Sequence, residues 1–287
     1  INPLTIAAAL EHGMIQPGTR IDTNPGTIRV ANKTIRDHRN YGVIDITTVL
    51  SKSSNVATTK IALQMDAQML PHMFEQFGFG HATGIAFPGE SDGMLPLRAK
   101  WSDIEQATLS YGYGLSVTTL QLAQAYAVLA NDGKRVPLSL QRVETVPEGE
   151  QIISTKTAHT LVSMLENVVS VDGTARAAAV SGYEVAGKTG TVHKVTSTGY
   201  ADDRYFGLFA GVAPVSDPRI VTVVVIDDPQ GGDYYGGLVA APVFSRIMSG
   251  VLRTLQITPD ARPGLHAGRG GAGGRSRSLV LSTPSPR

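Results

Sequence analysis

Two short stretches carry side chains suited to covalent chemistry at a carbonyl. Lys188-Thr189-Gly190-Thr191 offers a cation and two hydroxyls around a glycine, and Ser53-Ser54-Asn55 offers two hydroxyls and an amide. Gly190 removes a side chain where a backbone has to come close to a ligand, while Lys188 and Thr191 project a cation and a hydroxyl from the same region. A strand edge of this composition accepts an extended peptide by strand addition and anchors a terminal carboxylate. Serine-dependent acyl transfer to or from a peptide carbonyl is the reaction such a set suits. Singly, each triplet is common, Ser-x-Asn mostly as a cap or turn, so their contexts must carry the assignment.

The other reactive side chains give less. His12, His38, His72, His81, His159, His193 and His266 show no metal-ligand spacing, so no metal site is expected. Asp202-Asp203 and Asp227-Asp228 are adjacent on strand-like runs, where neighbours point apart, which argues against a shared acid/base site. The chain has no cysteine, which excludes disulfides, thiolate metal sites and a cysteine nucleophile.

The elements that position these residues follow from periodicity and punctuation. Asn2-Pro3 followed by an apolar run to Leu10, with Gly13 as the stop, predicts a helix with Asn2 as N-cap. Residues 27–30 and 34–36 read as a hairpin around Ala31-Asn32-Lys33. Residues 44–65 read as two helical pieces hinged at the polar 51–55 stretch, so Ser53 and Asn55 sit at a hinge. The glycine- and proline-rich stretch 78–100 is a long connection of the kind kept for a function. Residues 118–130 and a Ser154-capped segment through Val168 are helices. Beyond Gly182 come three strand-like runs, 183–192, 205–213 and 219–227, then a helix over 241–255. Short turns between the strands predict antiparallel pairing, and helices on either side predict an α+β architecture.

The 287 residues carry 25 Lys plus Arg against 24 Asp plus Glu, a net charge of +1, and so lack the basic field on which nucleic-acid binding depends. Charged residues make up 17%, below the roughly 25% usual for soluble domains. The longest strongly apolar run, residues 220–226, is far too short to cross a bilayer. The chain opens with Ile1 rather than Met and enters a helix at once, and is expected to be a fragment. Residues 258–287, rich in Gly, Arg, Ser and Pro, are expected to form a disordered tail.

Residues 1–257 resemble the transpeptidase domain of class B penicillin-binding proteins, the division-specific enzymes of Gram-negative bacteria that cross-link septal peptidoglycan. Ser53-Ser54-Asn55, Tyr111-Gly112-Tyr113-Gly114-Leu115-Ser116-Val117-Thr118, Ala130-Asn131-Asp132-Gly133-Lys134, Gly187-Lys188-Thr189-Gly190-Thr191, Phe209-Ala210-Gly211-Val212-Ala213-Pro214 and Tyr234-Tyr235-Gly236-Gly237 carry the resemblance. It implies the penicillin-binding, serine β-lactamase-like fold, no cofactor, and two ligand classes: peptidoglycan stem peptides ending in D-alanyl-D-alanine, and β-lactams. It further implies a parent protein at the periplasmic face of the inner membrane, at the septum, among divisome membrane proteins. By the same resemblance Ser53 relays a proton to the leaving amine, Asn55 bonds the substrate amide, and Lys188 holds Ser53 polarised. Thr191 binds the substrate carboxylate and supplies one oxyanion N–H, an interaction whose removal costs roughly 3–4 kcal/mol. Ser54, Thr189, Gly190, Tyr205, Tyr234 and Tyr235 fall at substrate-binding positions.

One departure is large. The family's Ser-x-x-Lys motif is missing: no serine in the chain has a lysine three residues on. Aligning the first helix with the family puts the nucleophile two residues before Ile1 and places Asn2 at the general-base lysine. A neutral amide takes no proton at pH 7, and losing general-base help costs on the order of 10²–10⁴ in rate. The resemblance also implies two further strands before the nucleophile, one pairing with 219–227, so that the chain without them exposes an apolar edge and is expected to be poorly soluble. Three functional readings follow: a transpeptidase fragment, a non-catalytic penicillin-binding-fold module favoured by Asn2, and a serine β-lactamase disfavoured by the 111–118 and 234–237 segments.

Overall fold

The computed structural model describes residues 1–196 and 199–261. Its first helix, α1 (Asn2–Glu11), buries every residue from Asn2 to Ala9; most are apolar, and the polar Thr5 donates to Ser110 O at 2.7 Å. Asn2 is not the N-cap. The cap position is Ile1, which makes no side-chain capping bond, and the Asn2 amide instead donates to Thr58 Oγ1 at 3.3 Å.

Strands β1 (Arg20–Asp22), β2 (Thr27–Val30), β3 (Lys33–Arg36) and β4 (Val43–Asp45) follow, β2 and β3 forming the expected hairpin and β1 pairing with β4. Two helices meet at the expected hinge: α2 (Ile46–Lys52), capped by Asp45, and α3 (Asn55–Ala62), capped by Ser54. Then come α4 (Met69–Gln76), α5 (Asp103–Leu109), α6 (Thr119–Ala130), the small pair β5 (Lys134–Arg135) and β6 (Glu150–Gln151), and α7 (Thr155–Val169). Thr118 and Ser154 cap α6 and α7, each accepting a bond from the backbone N–H three residues on.

Strands β7 (Ala186–Thr196), β8 (Gly199–Ala213) and β9 (Ile220–Asp227) form one antiparallel sheet in the order β7-β8-β9. Lys188 stands opposite Ala210, and Ala210 opposite Val223, so strand alternation puts all three on one face. Thr189 and Phe209 pair on the other face, where Phe209 meets Phe244 edge-on, 4.7 Å between centroids. That face is covered by α8 (Gly236–Val239) and α9 (Ala241–Thr254). Glycine at 211 makes this packing possible, since a Cβ there would lie 2.8 Å from Phe209 and 2.9 Å from Phe244.

Bonds to the body continue past residue 257. Asp260 accepts from the backbone N–H of Glu184 at 2.8 Å and of Ser216 at 3.0 Å, and Ala261 N–H donates to Gly182 O. The rest of the expected tail, 262–287, lies outside the described residues. No helix among the described residues is long and apolar enough to cross a membrane.

Candidate active site

A cleft of about 1140 Å³ opens between the sheet and the helical part. Its walls include the start of α1, the end of β3, the α2–α3 hinge, residues 111–119 and β7, with Leu208 and Ala210 of β8 and Val225 of β9 on the sheet face and Tyr126 from α6. Eight consecutive residues of β7, 188–195, line it, although alternate residues face opposite ways. Only an open strand edge presents both sets to one cavity, and β7 is the outer strand of its sheet.

The hinge is built by capping. After Lys52 the chain turns through Ser53, whose φ of 56° and ψ of 47° end α2 in the left-handed conformation. Ser54 then starts α3, its Oγ accepting from Ala57 N–H at 3.0 Å and donating to Asp37 at 2.6 Å. Asp37 also accepts from Val56 N–H at 3.0 Å, so a carboxylate at the end of the β2–β3 hairpin holds the first turn of α3. Ser54 is therefore a structural cap with no exposed surface, and the expectation that it binds substrate is corrected. Its neighbours Ser53 and Asn55 both line the cleft.

Lys188 is 3% exposed and reaches across from the sheet to the hinge, its Nζ 2.9 Å from Ser53 Oγ and 3.2 Å from Thr189 O. It has no carboxylate partner among the described residues. Burial alone lowers its pKa from 10.5 to about 8. Lys52 and Lys194, which also line the cleft, commit their ammonium groups elsewhere, to Asp172 O and to the Asp227 carboxylate. The Asp227-Asp228 pair is taken up in the same way, Asp228 bonding Arg204.

Thr191 Oγ accepts from Gly236 N–H at 3.1 Å, which leaves its own proton free to donate into the cleft. Thr189 Oγ lies 3.0 Å from Thr174 Oγ. Gly190 lines the cleft, but its missing side chain makes room for Leu208 rather than for a ligand: a Cβ would sit 2.9 Å from that leucine. The strand-to-strand packing, not close approach of a substrate, explains this glycine.

Of the three expected aromatics, Tyr235 lines the cleft, Tyr234 stacks on Tyr235 at 4.5 Å between centroids, and Tyr205 stacks on Tyr234 at 4.1 Å. His38 meets Tyr235 edge-on at 6.0 Å and closes one end. Sequence reasoning missed Asp37, His38, Thr174 and Tyr200, and gave no role to Tyr111 or Tyr113, although both lie in a segment that carried the resemblance. Tyr113 packs between Tyr111 and Tyr200, at 5.7 and 5.2 Å. Burial pushes the Tyr111 hydroxyl up to about 12, with Tyr113 adding to the shift. Asn2 lines the cleft floor with its amide turned to α3. The described residues hold no cluster of metal-ligating side chains.

A cation and a serine in contact beneath an open strand edge is an arrangement for acyl chemistry, and comparison with known proteins agrees. The family model described as penicillin binding protein transpeptidase domain matches residues 1–249. The chain belongs to the penicillin-binding protein transpeptidase family. It is 44% identical over 261 residues to the peptidoglycan D,D-transpeptidase FtsI of Escherichia coli, covering 91% of this chain and 44% of that protein. It is 38% identical to the probable peptidoglycan D,D-transpeptidase PenA of Neisseria gonorrhoeae, over 90% of this chain and 44% of that one. Among solved structures, the transpeptidase domain of penicillin-binding protein 3 from Burkholderia pseudomallei superimposes with a TM-score of 0.87 at 40% identity, covering 91% of this chain and 80% of that one. The chain thus spans less than half the length of these curated relatives, and the expected fold is the observed one.

Proposed function

We propose that the chain is the substrate-binding body of a class B, septal peptidoglycan D,D-transpeptidase, which takes stem peptides ending in D-alanyl-D-alanine and binds β-lactams. The observation that carries this reading is the open edge of β7 with Lys188 in contact with Ser53 at its base. A peptide laid along that edge gains main-chain hydrogen bonds, and its terminal carboxylate meets the free donor of Thr191. Lys188 adds positive potential, and the Asn55 side chain faces the cleft as a donor for the substrate amide. Thr189 and Tyr235 border the same edge. The reacting serine of the parent protein lies upstream of Ile1, and the parent works at the periplasmic face of the inner membrane with divisome proteins.

Asn2 favours a second reading, a cleft that binds without reacting. Its amide is held by Thr58 and cannot act as a base at pH 7. Titration calorimetry with a diacetyl-lysyl peptide ending in D-Ala-D-Ala tests the binding common to both readings. Saturable binding should weaken about 10- to 100-fold in Thr191→Val, the cost of a lost bond to a charged group. Equal affinity for the L-Ala-L-Ala peptide would refute it.

A further inference from the structure

We infer that Ser53 and Lys188 form a self-contained Ser–Lys pair in which Ser53 is itself an acyl acceptor for activated carboxylic esters. This goes beyond the proposed transpeptidase reading, in which Ser53 only relays a proton.

Three observations combine. Ser53 Oγ stands 2.9 Å from Lys188 Nζ, within the reach required of a nucleophile and its base. Ser53 lines the cleft, so a carbonyl can reach its oxygen, whereas the neighbouring Ser54 is sealed in as a cap. Its left-handed backbone, unfavourable for a residue with a Cβ, holds the hydroxyl out of the helix at the point where α2 ends and α3 has yet to begin. Lys188, for its part, is buried with no counter-ion among the described residues. Among the described residues Asp37 is the one carboxylate on the cleft wall, and it is bonded to Ser54 and Val56. Burial brings the amine form of Lys188 into reach near pH 8. As an amine its nitrogen accepts the Ser53 proton across the same contact.

The step balances without any further reagent. Ser53 Oγ bonds the ester carbonyl carbon as its proton passes to Lys188 Nζ. The carbon–oxygen bond to the leaving group then breaks, and an aryloxide or alcohol departs, the alcohol taking the proton back from Lys188. In this step the side-chain amide of Asn55, two residues on and also lining the cleft, donates to the developing oxyanion.

The whole chain should be treated with p-nitrophenyl acetate at pH 8, followed by intact mass and peptide mapping. The pair predicts one acetyl group on Ser53, released with one equivalent of p-nitrophenolate. Ser53→Gly keeps the left-handed turn without strain and should lose the adduct. Lys188→Arg, which stays charged, should slow acetylation about 100-fold or more while the thermal midpoint shows a folded protein. Acetyl groups on lysines alone, no adduct, or an adduct that survives Ser53→Gly would each overturn the inference. Because the D-Ala-D-Ala titration reads binding alone, failure here with intact peptide binding would leave the transpeptidase reading standing.

Discussion

Replacing Lys188 with methionine should make the protein more stable at neutral pH. Methionine has a similar length and fills the same channel without a charge. The fall from 10.5 to about 8 means that the ammonium form is worth on the order of 3 kcal/mol less in the folded protein than in water. The unfolded chain keeps its proton up to 10.5 and the folded one releases it near 8, so between these values the unfolded state binds more protons and stability rises with pH. Below pH 8 the full cost is present; above 10.5 it is gone. Losing the contact with Ser53 returns part of the gain, about 1 kcal/mol, because a half-buried hydroxyl regains water. The net expectation is a variant about 2 kcal/mol more stable at pH 7, with the advantage vanishing by about pH 10.5. Urea unfolding at the two pH values measures it. A variant less stable at pH 7, or a difference that does not change with pH, would refute the claim that Lys188 is an unpaired buried base.

Asp37→Ala removes an acceptor from both Ser54 Oγ and Val56 N–H and should cost about 2 kcal/mol, with faster hydrogen exchange confined to the first turn of α3; uniform exchange would contradict it. In Gly236→Ala the new Cβ would overlap the carbonyl oxygens of Leu208 and Gly190, so a loss of about 1–3 kcal/mol is expected, together with weaker binding of the D-Ala-D-Ala peptide as Thr191 loses its fixed donor. Thermal unfolding and calorimetry on that variant read the two effects separately.

The sequence made the helix starts and the sheet legible because each is punctuated locally. Thr118 and Ser154 cap where capping residues are expected, and β8 is parted from β9 by a stretch holding Pro214, Asp217 and Pro218. The β1–β4 pair escaped notice because three-residue strands carry no readable period. α4 and α5 flank the 78–100 connection, and at about two turns each their apolar faces are too short to show a period. Asn2 was misplaced because the sequence gives the residue before Pro3 a capping preference, while only the fold reveals Thr58 as its partner. In the site, Lys188, Ser53, Asn55 and Thr191 were found from residue types that suit acyl chemistry and from a family likeness. Asp37 was not, since a single aspartate after a hairpin reads as surface until the hairpin is folded against α3. Gly190 and Ser54 were given to the ligand, yet strand packing and helix capping account for them.

In the proposed function the edge of β7 receives a peptide carboxyl terminus. A crystal structure of the chain with the diacetyl-lysyl-D-Ala-D-Ala peptide tests it most directly. The peptide should lie extended along β7, its terminal carboxylate accepting from the Thr191 hydroxyl and its penultimate carbonyl turned toward Ser53 and Lys188. A peptide bound with its carboxylate away from Thr191, or seated outside the cleft, would contradict it.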